Sequence, residues 1–205
     1  MPRRPDMPPL HRSALAADPI EQFRDWYELA KREVPLADAM TLATVDGGGM
    51  PDARMVLLKG AGADGFRFFT NLRSAKGVQL AAARWAALVV YWRELDRQVR
   101  VRGEVEALPE ADSDEYFRSR SRDSQIGAWA SPQSGVLADR GELDRLVSEA
   151  ESRFSGGEIP RPEFWGGFVV RPASVEFWQG QAARLHDRFR YTRAGVGWTL
   201  ERLAP

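Results

Sequence analysis

The spacing of apolar residues changes along the chain and separates helical from extended segments. After Asp18 and Pro19, apolar side chains recur at helical spacing, which predicts a helix with Asp18 as its N-cap. From residue 40 onwards, alternating or continuous apolar runs predict strands instead. The predicted strands cover residues 41–45, 54–58, 66–70, 87–92 and 98–107, and further strands lie within 164–203.

Helical spacing returns in three segments between these strands, at residues 74–83, 109–129 and 137–154. Helices interrupt the strands without a regular strand–helix–strand alternation. The pattern therefore favours an antiparallel β-barrel with peripheral helices, a mainly β fold of the α+β class. Residues 1–18 contain four prolines and are expected to form a flexible N-terminal arm, and residues 19–205 a single domain.

Composition excludes several classes of protein. The chain has 205 residues, of which 43% are hydrophobic and 28% charged, as in an ordinary globular domain. Its longest apolar run, residues 85–92, is much shorter than the roughly 20 residues of a membrane helix. The 29 basic residues balance 29 acidic ones, and the absence of cysteine excludes disulfides and thiolate chemistry. We therefore expect a cytoplasmic protein without a nucleic-acid or membrane partner.

Motifs of three common kinds of enzyme site are missing or incomplete. Residues 60–65 match the glycine pattern of a dinucleotide-binding loop, but a predicted strand follows instead of the required helix, so the glycines indicate a hairpin turn. The chain has two histidines, no HExxH-like spacing and no G-x-S-x-G segment. We expect neither a metal site nor a hydrolase.

Basic residues in two places are candidates for binding anions. Arg54 and Lys59 lie on opposite faces of one predicted strand, roughly 16 Å apart, so they would bind two different anions. The alternative is a strand with a solvated charge at each end. At the start of the next helix, Asn71 or Ser74 can cap while Lys76 lies in the first turn. That arrangement suits a phosphate as well as it suits a plain cap.

Two further groups of polar residues could recognise a ligand. Tyr116, Arg120 and Ser124 have i, i+4, i+8 spacing, so they form an anion clamp on one face if the helix continues through residues 119–123. This spacing is also common by chance. Gln98 lies on the polar face of its strand and can both donate to and accept from an imide-bearing ring.

The last group follows the aromatic residue Trp178. In an extended segment, Arg184, His186 and Arg188 would lie on one side, with Asp187 behind them. His186 is either an acid–base group or a structural histidine. Together the groups indicate a basic, aromatic-lined site for a phosphorylated cofactor and a phosphorylated substrate.

Most of these residues lie in segments that resemble a known family, the pyridoxine/pyridoxamine 5′-phosphate oxidases. The segments are RMVLLKG from Arg54, FTNLRSAKG from Phe69, RQVR from Arg97, YFRSRSRDSQIGAWASPQS from Tyr116, FWGGF from Phe164 and EFWQGQAARLHDR from Glu176. The resemblance runs from about Asp18 to Pro205. Its most specific part is RLHDR after EFWQG.

The resemblance implies a split β-barrel homodimer that binds FMN at the subunit interface. It assigns to FMN the residues Arg54, Met55, Val56, Leu57, Leu58, Lys59, Phe69, Thr70, Arg73, Ser74, Lys76, Gln98, Gln133, Ser134, Trp178 and Arg188, the last four largely from the second subunit. Arg73 is included because Ala75 stands where the family commonly has an arginine. The residues assigned to the substrate phosphate are Lys59, Tyr116, Arg120 and Ser124. Arg184 and His186 match the catalytic, substrate-binding residues over the pyridine ring.

The implied reaction is the oxidation of pyridoxamine 5′-phosphate or pyridoxine 5′-phosphate to pyridoxal 5′-phosphate. A hydride passes from substrate C4′ to flavin N5, and O2 is reduced to H2O2. The implied partners are therefore phosphorylated B6 vitamers and O2. Two alternatives stay open: another split-barrel flavin oxidase, of the phenazine-biosynthesis type, and a non-catalytic protein that binds FMN or pyridoxal phosphate.

Overall fold

The computed structural model describes residues 8–205, which form a nine-stranded antiparallel sheet with helices around it. The strands are β1 (Ala39–Val45), β2 (Pro51–Leu57), β3 (Gly60–Gly62), β4 (Gly65–Asn71), β5 (Trp85–Trp92), β6 (Arg97–Ala107), β7 (Trp165–Gln179), β8 (Asp187–Ala194) and β9 (Gly197–Leu203). The helices are α1 (Pro19–Glu33), α2 (Ala75–Ala83), α3 (Glu110–Ser119), α4 (Arg122–Ala130) and α5 (Arg140–Arg153), and short 3₁₀ turns cover Arg12–Ala14, Arg93–Leu95 and Ala182–Arg184.

The sheet curls until its two ends meet. The strands pair in the order β2-β1-β5-β6-β7-β4-β3, with β8 beside β7 and β9 beside β8. Just after β2, the backbone N–H of Lys59 donates to the carbonyl of Arg67 on β4, 2.8 Å away, and so links opposite ends of this order. The predicted antiparallel barrel with peripheral helices is therefore confirmed.

The long strand β7 connects the two parts of the sheet. It pairs with β6 from Phe168 to Gln179, with β4 over its first half and with β8 over its second half. A bulge interrupts its pairing with β6 next to Gly103. A Cβ at Gly103 would lie 1.9 Å from the carbonyl oxygen of Arg171, so only glycine fits where the strand bends.

The barrel interior is filled by the alternate apolar residues of the strands, and α1 covers it. Asp18 caps α1 by accepting from the backbone N–H groups of Ile20 and Glu21, as the sequence predicts. On α1, Phe23 packs edge-on against Phe66 at 4.9 Å. A smaller core cluster joins α3, α4 and α5 to the start of β7; its buried members are Phe117, Ile126, Ala130, Ala150, Ile159 and Trp165.

Two predicted helices differ from the observed ones. The helix predicted at 109–129 is broken, because Arg120 is extended (ψ 152°) and Ser121 caps α4 by accepting from the N–H of Ser124. The helix predicted from residue 137 begins at Arg140, since Asp139 caps it. The glycine-rich residues 60–65 form the predicted hairpin, with a φ of +128° at Gly65.

The N-terminal segment contacts the barrel where it is described. Residues 1–7 of the predicted arm lie outside the described residues. Leu10 is buried, its N–H donates to Asp187, and the Tyr191 hydroxyl donates to the carbonyl of Ala16. Residues 8–18 are thus attached to β8, while the division into an arm and one domain stays a prediction. No helix within residues 8–205 has the length and apolar character to cross a membrane.

Candidate active site

A pocket of about 380 Å³ opens between the ends of β2 and β4 and the helices α2, α3 and α4. Eight of the residues assigned to FMN line this pocket: Met55, Val56, Leu57, Lys59, Phe69, Thr70, Lys76 and Gln133. The same walls contain the whole predicted substrate-phosphate set of Lys59, Tyr116, Arg120 and Ser124. The fold thus brings together predicted site residues that are up to 78 positions apart in the chain (55 to 133).

The start of α2 supplies a buried cation to this pocket. Ser74, itself fully buried, caps the helix by accepting from the N–H of Gly77. Lys76 lies in the first turn, and its Nζ donates to the side-chain oxygen of Gln133 at 2.8 Å and to Ser74 at 3.3 Å. Burial lowers the pKa of Lys76, and the nearby charge of Arg54 lowers it further. Both hydrogen-bond partners are uncharged, so among the described residues the ammonium has no directly bonded anion.

Arg54 is held just outside the pocket walls. Its guanidinium donates to Thr44 and to the side-chain oxygen of Gln79, and it pairs with Asp52. Gln79 also donates to Asp52 at 3.0 Å. The bond from Gln79 and then the charge of Arg54 lower the pKa of Asp52. These partners fix the direction of the Arg54 side chain before any ligand binds.

Arg120 is the second cation of the pocket that has no anionic partner within residues 8–205. Its guanidinium lies 4.8 Å from the ring of Trp165, and burial lowers its pKa. The Nη1 atom is buried without a hydrogen-bond partner among the described residues. A buried, unpaired polar group costs about 1–3 kcal/mol, a cost that an anionic ligand in the pocket would remove.

The other residues assigned to the substrate phosphate line the same pocket as Arg120. The ring of Tyr116 stacks on Phe69 with centroids 4.1 Å apart, and Ser124 accepts a hydrogen bond from Ser121. Lys59 pairs with Asp38 at 2.9 Å. The condition for aligning Tyr116, Arg120 and Ser124 on one helical face is not met, because the helix breaks after Ser119, but all three residues still line one pocket.

A neighbouring pocket of about 740 Å³ shares Asn71, Ser131 and Gln133 with the first and contains Arg73 and Ser134. The N–H of Ala75 donates to the Ser134 hydroxyl at 3.2 Å. The resemblance placed Gln133 and Ser134 largely on a second subunit. In this chain they already contact α2 of the same subunit, because the loop after α4 passes the start of that helix.

Three of the remaining predicted residues lie on the outward face of β6, β7 and β8. Gln98, Trp178 and Arg188 are directly opposite one another on these strands. Arg188 pairs with Glu176 at 2.8 Å, so a carboxylate of the protein already balances its charge. Within residues 8–205, the walls of the first pocket include none of Gln98, Trp178, Arg184, His186 and Arg188. Leu58 is buried in the barrel, so only its backbone can face a ligand.

The segment before β8 is not extended, contrary to the expectation from its sequence. Ala183 and Arg184 have φ values of 54° and 62° within a 3₁₀ turn, and β8 begins only at Asp187. The turn leaves Arg184 exposed, while the His186 ring packs on Trp178 with centroids 4.6 Å apart. Asp187 is buried behind them, as expected.

Several residues of the site carried no signal that singled them out in the sequence. Trp165 forms the wall behind Arg120, and its place in FWGGF, a strand start, indicated only a core residue. Asp38 and Gln79 orient Lys59 and Arg54 from other elements. Only contacts between distant segments identify these three residues.

Comparison with known proteins shows the family of the chain. Residues 28–154 match the family model described as pyridoxamine 5′-phosphate oxidase. Residues 165–205 match the model described as the pyridoxine 5′-phosphate oxidase C-terminal dimerisation region. A pyridoxine/pyridoxamine 5′-phosphate oxidase of Salinibacter ruber is 52% identical over 200 residues, covering 96% of this chain and 93% of the relative. The protein of the same name from Thermosynechococcus vestitus is 53% identical over 194 residues, covering 94% and 92%.

Solved structures agree with these sequence matches. The PhzG structure from Burkholderia lata, in complex with tetrahydrophenazine-1-carboxylic acid, has a TM-score of 0.89 at 31% identity and covers 96% of this chain and 98% of that one. A pyridoxamine 5′-phosphate oxidase-related, FMN-binding protein from Nostoc punctiforme has the same fold, with a TM-score of 0.74 at 19% identity, covering 93% and 100%. The chain therefore belongs to the pyridoxamine 5′-phosphate oxidase family.

Proposed function

We propose that this protein oxidises pyridoxamine 5′-phosphate and pyridoxine 5′-phosphate to pyridoxal 5′-phosphate, using FMN and O2. The observation that carries the proposal is the buried Nη1 of Arg120, which has no partner in the described part of the chain and lies in a pocket with Lys59, Tyr116 and Ser124. This set of donors suits a phosphate monoester. Relatives about half identical over most of the chain bear the name of this activity.

The first pocket and its rim fit FMN. Lys76, with uncharged partners at the start of α2, and Arg54 beside it would hold the phosphate. The apolar side chains of Met55 and Leu57 would contact the flavin ring. When bound, FMN supplies the chemistry that accepts a hydride from substrate and passes two electrons to O2.

The protein's own groups would bind and orient the substrate. Arg120 would donate to the phosphate through Nη1, helped by the hydroxyls of Tyr116 and Ser124. Lys59 would add a charge while Asp38 holds its side chain in place. Fixing the phosphate at one end positions the C4′ end of the ring for hydride transfer.

A second copy of the chain would complete the site. Met55, Leu57 and Tyr91 are exposed by 61%, 44% and 54% on the outward face of the sheet that also carries Trp178. An apolar face of this kind is typical of an interface, and residues 165–205 match a dimerisation region. In such a homodimer, Trp178, Arg188, Arg184 and His186 of one subunit would adjoin the FMN of the other. Arg184 and His186 would then lie over the substrate ring, as catalytic residues.

The proposal is tested by mixing FMN-loaded protein with pyridoxine 5′-phosphate without oxygen and following the visible flavin band. We expect bleaching that reverses on admitting air, with pyridoxal 5′-phosphate as product. Unphosphorylated pyridoxine is the matched control, and we expect it to react much more slowly because the clamp has nothing to hold. A band that neither phosphorylated vitamer bleaches would refute the proposal.

A second candidate is oxidation of a reduced phenazine, favoured by the 0.89 TM-score to the PhzG complex. The carboxylate of such a substrate could pair with Arg120 in place of a phosphate. The same anaerobic experiment separates the two candidates, since bleaching by a reduced phenazine carboxylate and not by the B6 vitamers would favour this one.

A further inference from the structure

The exposed turn that carries Arg184 is closed at its base by Gln181. The backbone N–H of Gln181 donates to Nδ1 of His186 at 3.1 Å, and its side-chain amide donates to Oδ2 of Asp187 at 2.8 Å. Ala183 and Arg184, between these contacts, have left-handed backbone angles. Non-glycine residues keep such angles only where surrounding contacts enforce them.

Asp187 is in turn fixed by two distant parts of the chain. The carboxylate is 4% exposed, and it accepts from the N–H of Leu10 and from Nη1 of Arg202, both at 2.9 Å. A second nitrogen of Arg202 donates to the carbonyl of Leu10 at 2.7 Å. Asp187 therefore joins the N-terminal segment and β9 to the turn that holds His186.

We propose that Gln181 and Asp187 are positioning residues that hold His186 in a single tautomer and orientation. Because Nδ1 accepts from a backbone N–H, the neutral ring carries its proton on Nε2. The Nε2–H then points away from Gln181 and is the group available to a ligand. The side-chain bond from Gln181 to Asp187 keeps the Gln181 backbone in place for this contact. The consequence for catalysis rests on the function proposed above.

The tautomer of His186 can be measured without turnover. The chain contains two histidines, His11 and His186, so a ¹⁵N-histidine-labelled, FMN-loaded protein without a histidine tag gives two imidazole patterns in long-range ¹H–¹⁵N spectra. A His11→Gln variant assigns them. We expect His186 in the wild type to be the Nε2–H form, and Gln181→Met to convert it to a mixture of both tautomers. An Nδ1–H form in the wild type would overturn the proposal.

Kinetics give the second measurement. We expect Gln181→Met to lower the rate of flavin reduction about tenfold, a fraction of the effect of a lost acid–base group. The KM for the phosphorylated substrate should stay nearly constant, because Arg120 and its neighbours bind the phosphate elsewhere. Asp187→Asn should act in the same direction. If this buried substitution prevents folding, Gln181→Met carries the test, since Gln181 is half-buried.

Gln22→Met is the matched control. Gln22 accepts from the N–H of Ala16 and so holds the same N-terminal segment, but it has no bond to residues 181–187 among the described contacts. We expect this variant to keep both the tautomer and the rate. Unchanged tautomer and rate in Gln181→Met would refute the positioning role. A wild type that fails to reduce flavin would refute the proposed function instead, and the tautomer spectra would still decide the role of Gln181.

Discussion

The two groups of predicted site residues differ in how their charges are balanced. In the pocket, Lys76 bonds only to uncharged partners among the described residues, and Arg120 has a buried nitrogen without any. On the neighbouring strands, Glu176 of β7 pairs with Arg188 of β8 and with Arg100 of β6. Lys76 and Arg120 of the pocket can thus still gain an anionic partner from outside, whereas Arg188 and Arg100 already share a carboxylate of the protein.

This difference separates binding from orientation. Cations that lack partners lower the stability of the unliganded protein, but they form strong charge-assisted hydrogen bonds when a phosphate binds. Cations that are paired with carboxylates offer little net charge to a ligand, but they hold their strands and neighbouring rings in fixed positions. Under the proposed function, the first region would bind phosphorylated molecules, and the second would hold the geometry around Trp178 and His186.

The strongest test of the comparison removes Arg120. We expect Arg120→Met to lower kcat/KM for pyridoxamine 5′-phosphate by about 2–5 kcal/mol of transition-state stabilisation, roughly 30-fold to several thousand-fold. The unliganded protein should not lose stability, because the substitution removes an unpaired buried nitrogen. Steady-state rates and thermal melting measure the two effects.

Arg118→Met is the matched control for that variant. Arg118 is exposed on α3, where its side chain donates to the backbone carbonyl of Asp114, one turn earlier. We expect the Arg118→Met variant to keep the wild-type kcat/KM. A fall in thermal stability for Arg120→Met, with kcat/KM unchanged, would show that Arg120 is a structural residue.

In the region of paired charges, by contrast, removing one partner should lower the stability of the unliganded protein. Glu176→Gln leaves Arg188 and Arg100 without their shared carboxylate, so we expect a loss of about 1–3 kcal/mol in the free energy of unfolding. Urea unfolding at fixed protein concentration measures it. Glu201→Gln, which breaks the more exposed pair with Arg190, should cost less than about 0.5 kcal/mol. Equal losses in the two variants would contradict the contrast between buried and exposed pairs.

The smallest expected effect is the change of stability and of FMN affinity with pH. Burial lowers the pKa of Lys76 below 10.5, so in the unliganded protein this group loses its proton at a lower pH than in the unfolded chain. Stability should therefore rise with pH between the folded and unfolded pKa values, since the unfolded chain binds more protons there. FMN affinity should fall over the same range, by at most about tenfold per pH unit.

Fluorescence titration of apoprotein with FMN between neutral and alkaline pH measures this change. Lys76→Met should bind FMN more weakly at neutral pH and lose most of the pH dependence. An unchanged slope in that variant would assign the dependence to another group.

Local patterns in the sequence were enough for much of the barrel. Strand residues 98–107 were predicted from their alternation, and the observed β6 covers Arg97–Ala107 with its valines buried. Asp18 and the glycines at 60–65 were interpreted correctly because an N-cap and a hairpin depend on neighbouring residues alone. The site residues came mostly from the family resemblance, since their spacing also occurs by chance.

The sequence by itself determined most of the strands, the capped start of α1 and the cations available for phosphate, because each depends on residues close together in the chain. Only the tertiary structure showed that α3 ends at Ser119 and that Phe117 and Ile126, on two separate helices, pack in one cluster. It also decided which cations lack carboxylates. A charge is compensated by a side chain on another strand, as the charge of Arg188 is by Glu176. Such a pair cannot be predicted from the residues next to either partner in the sequence.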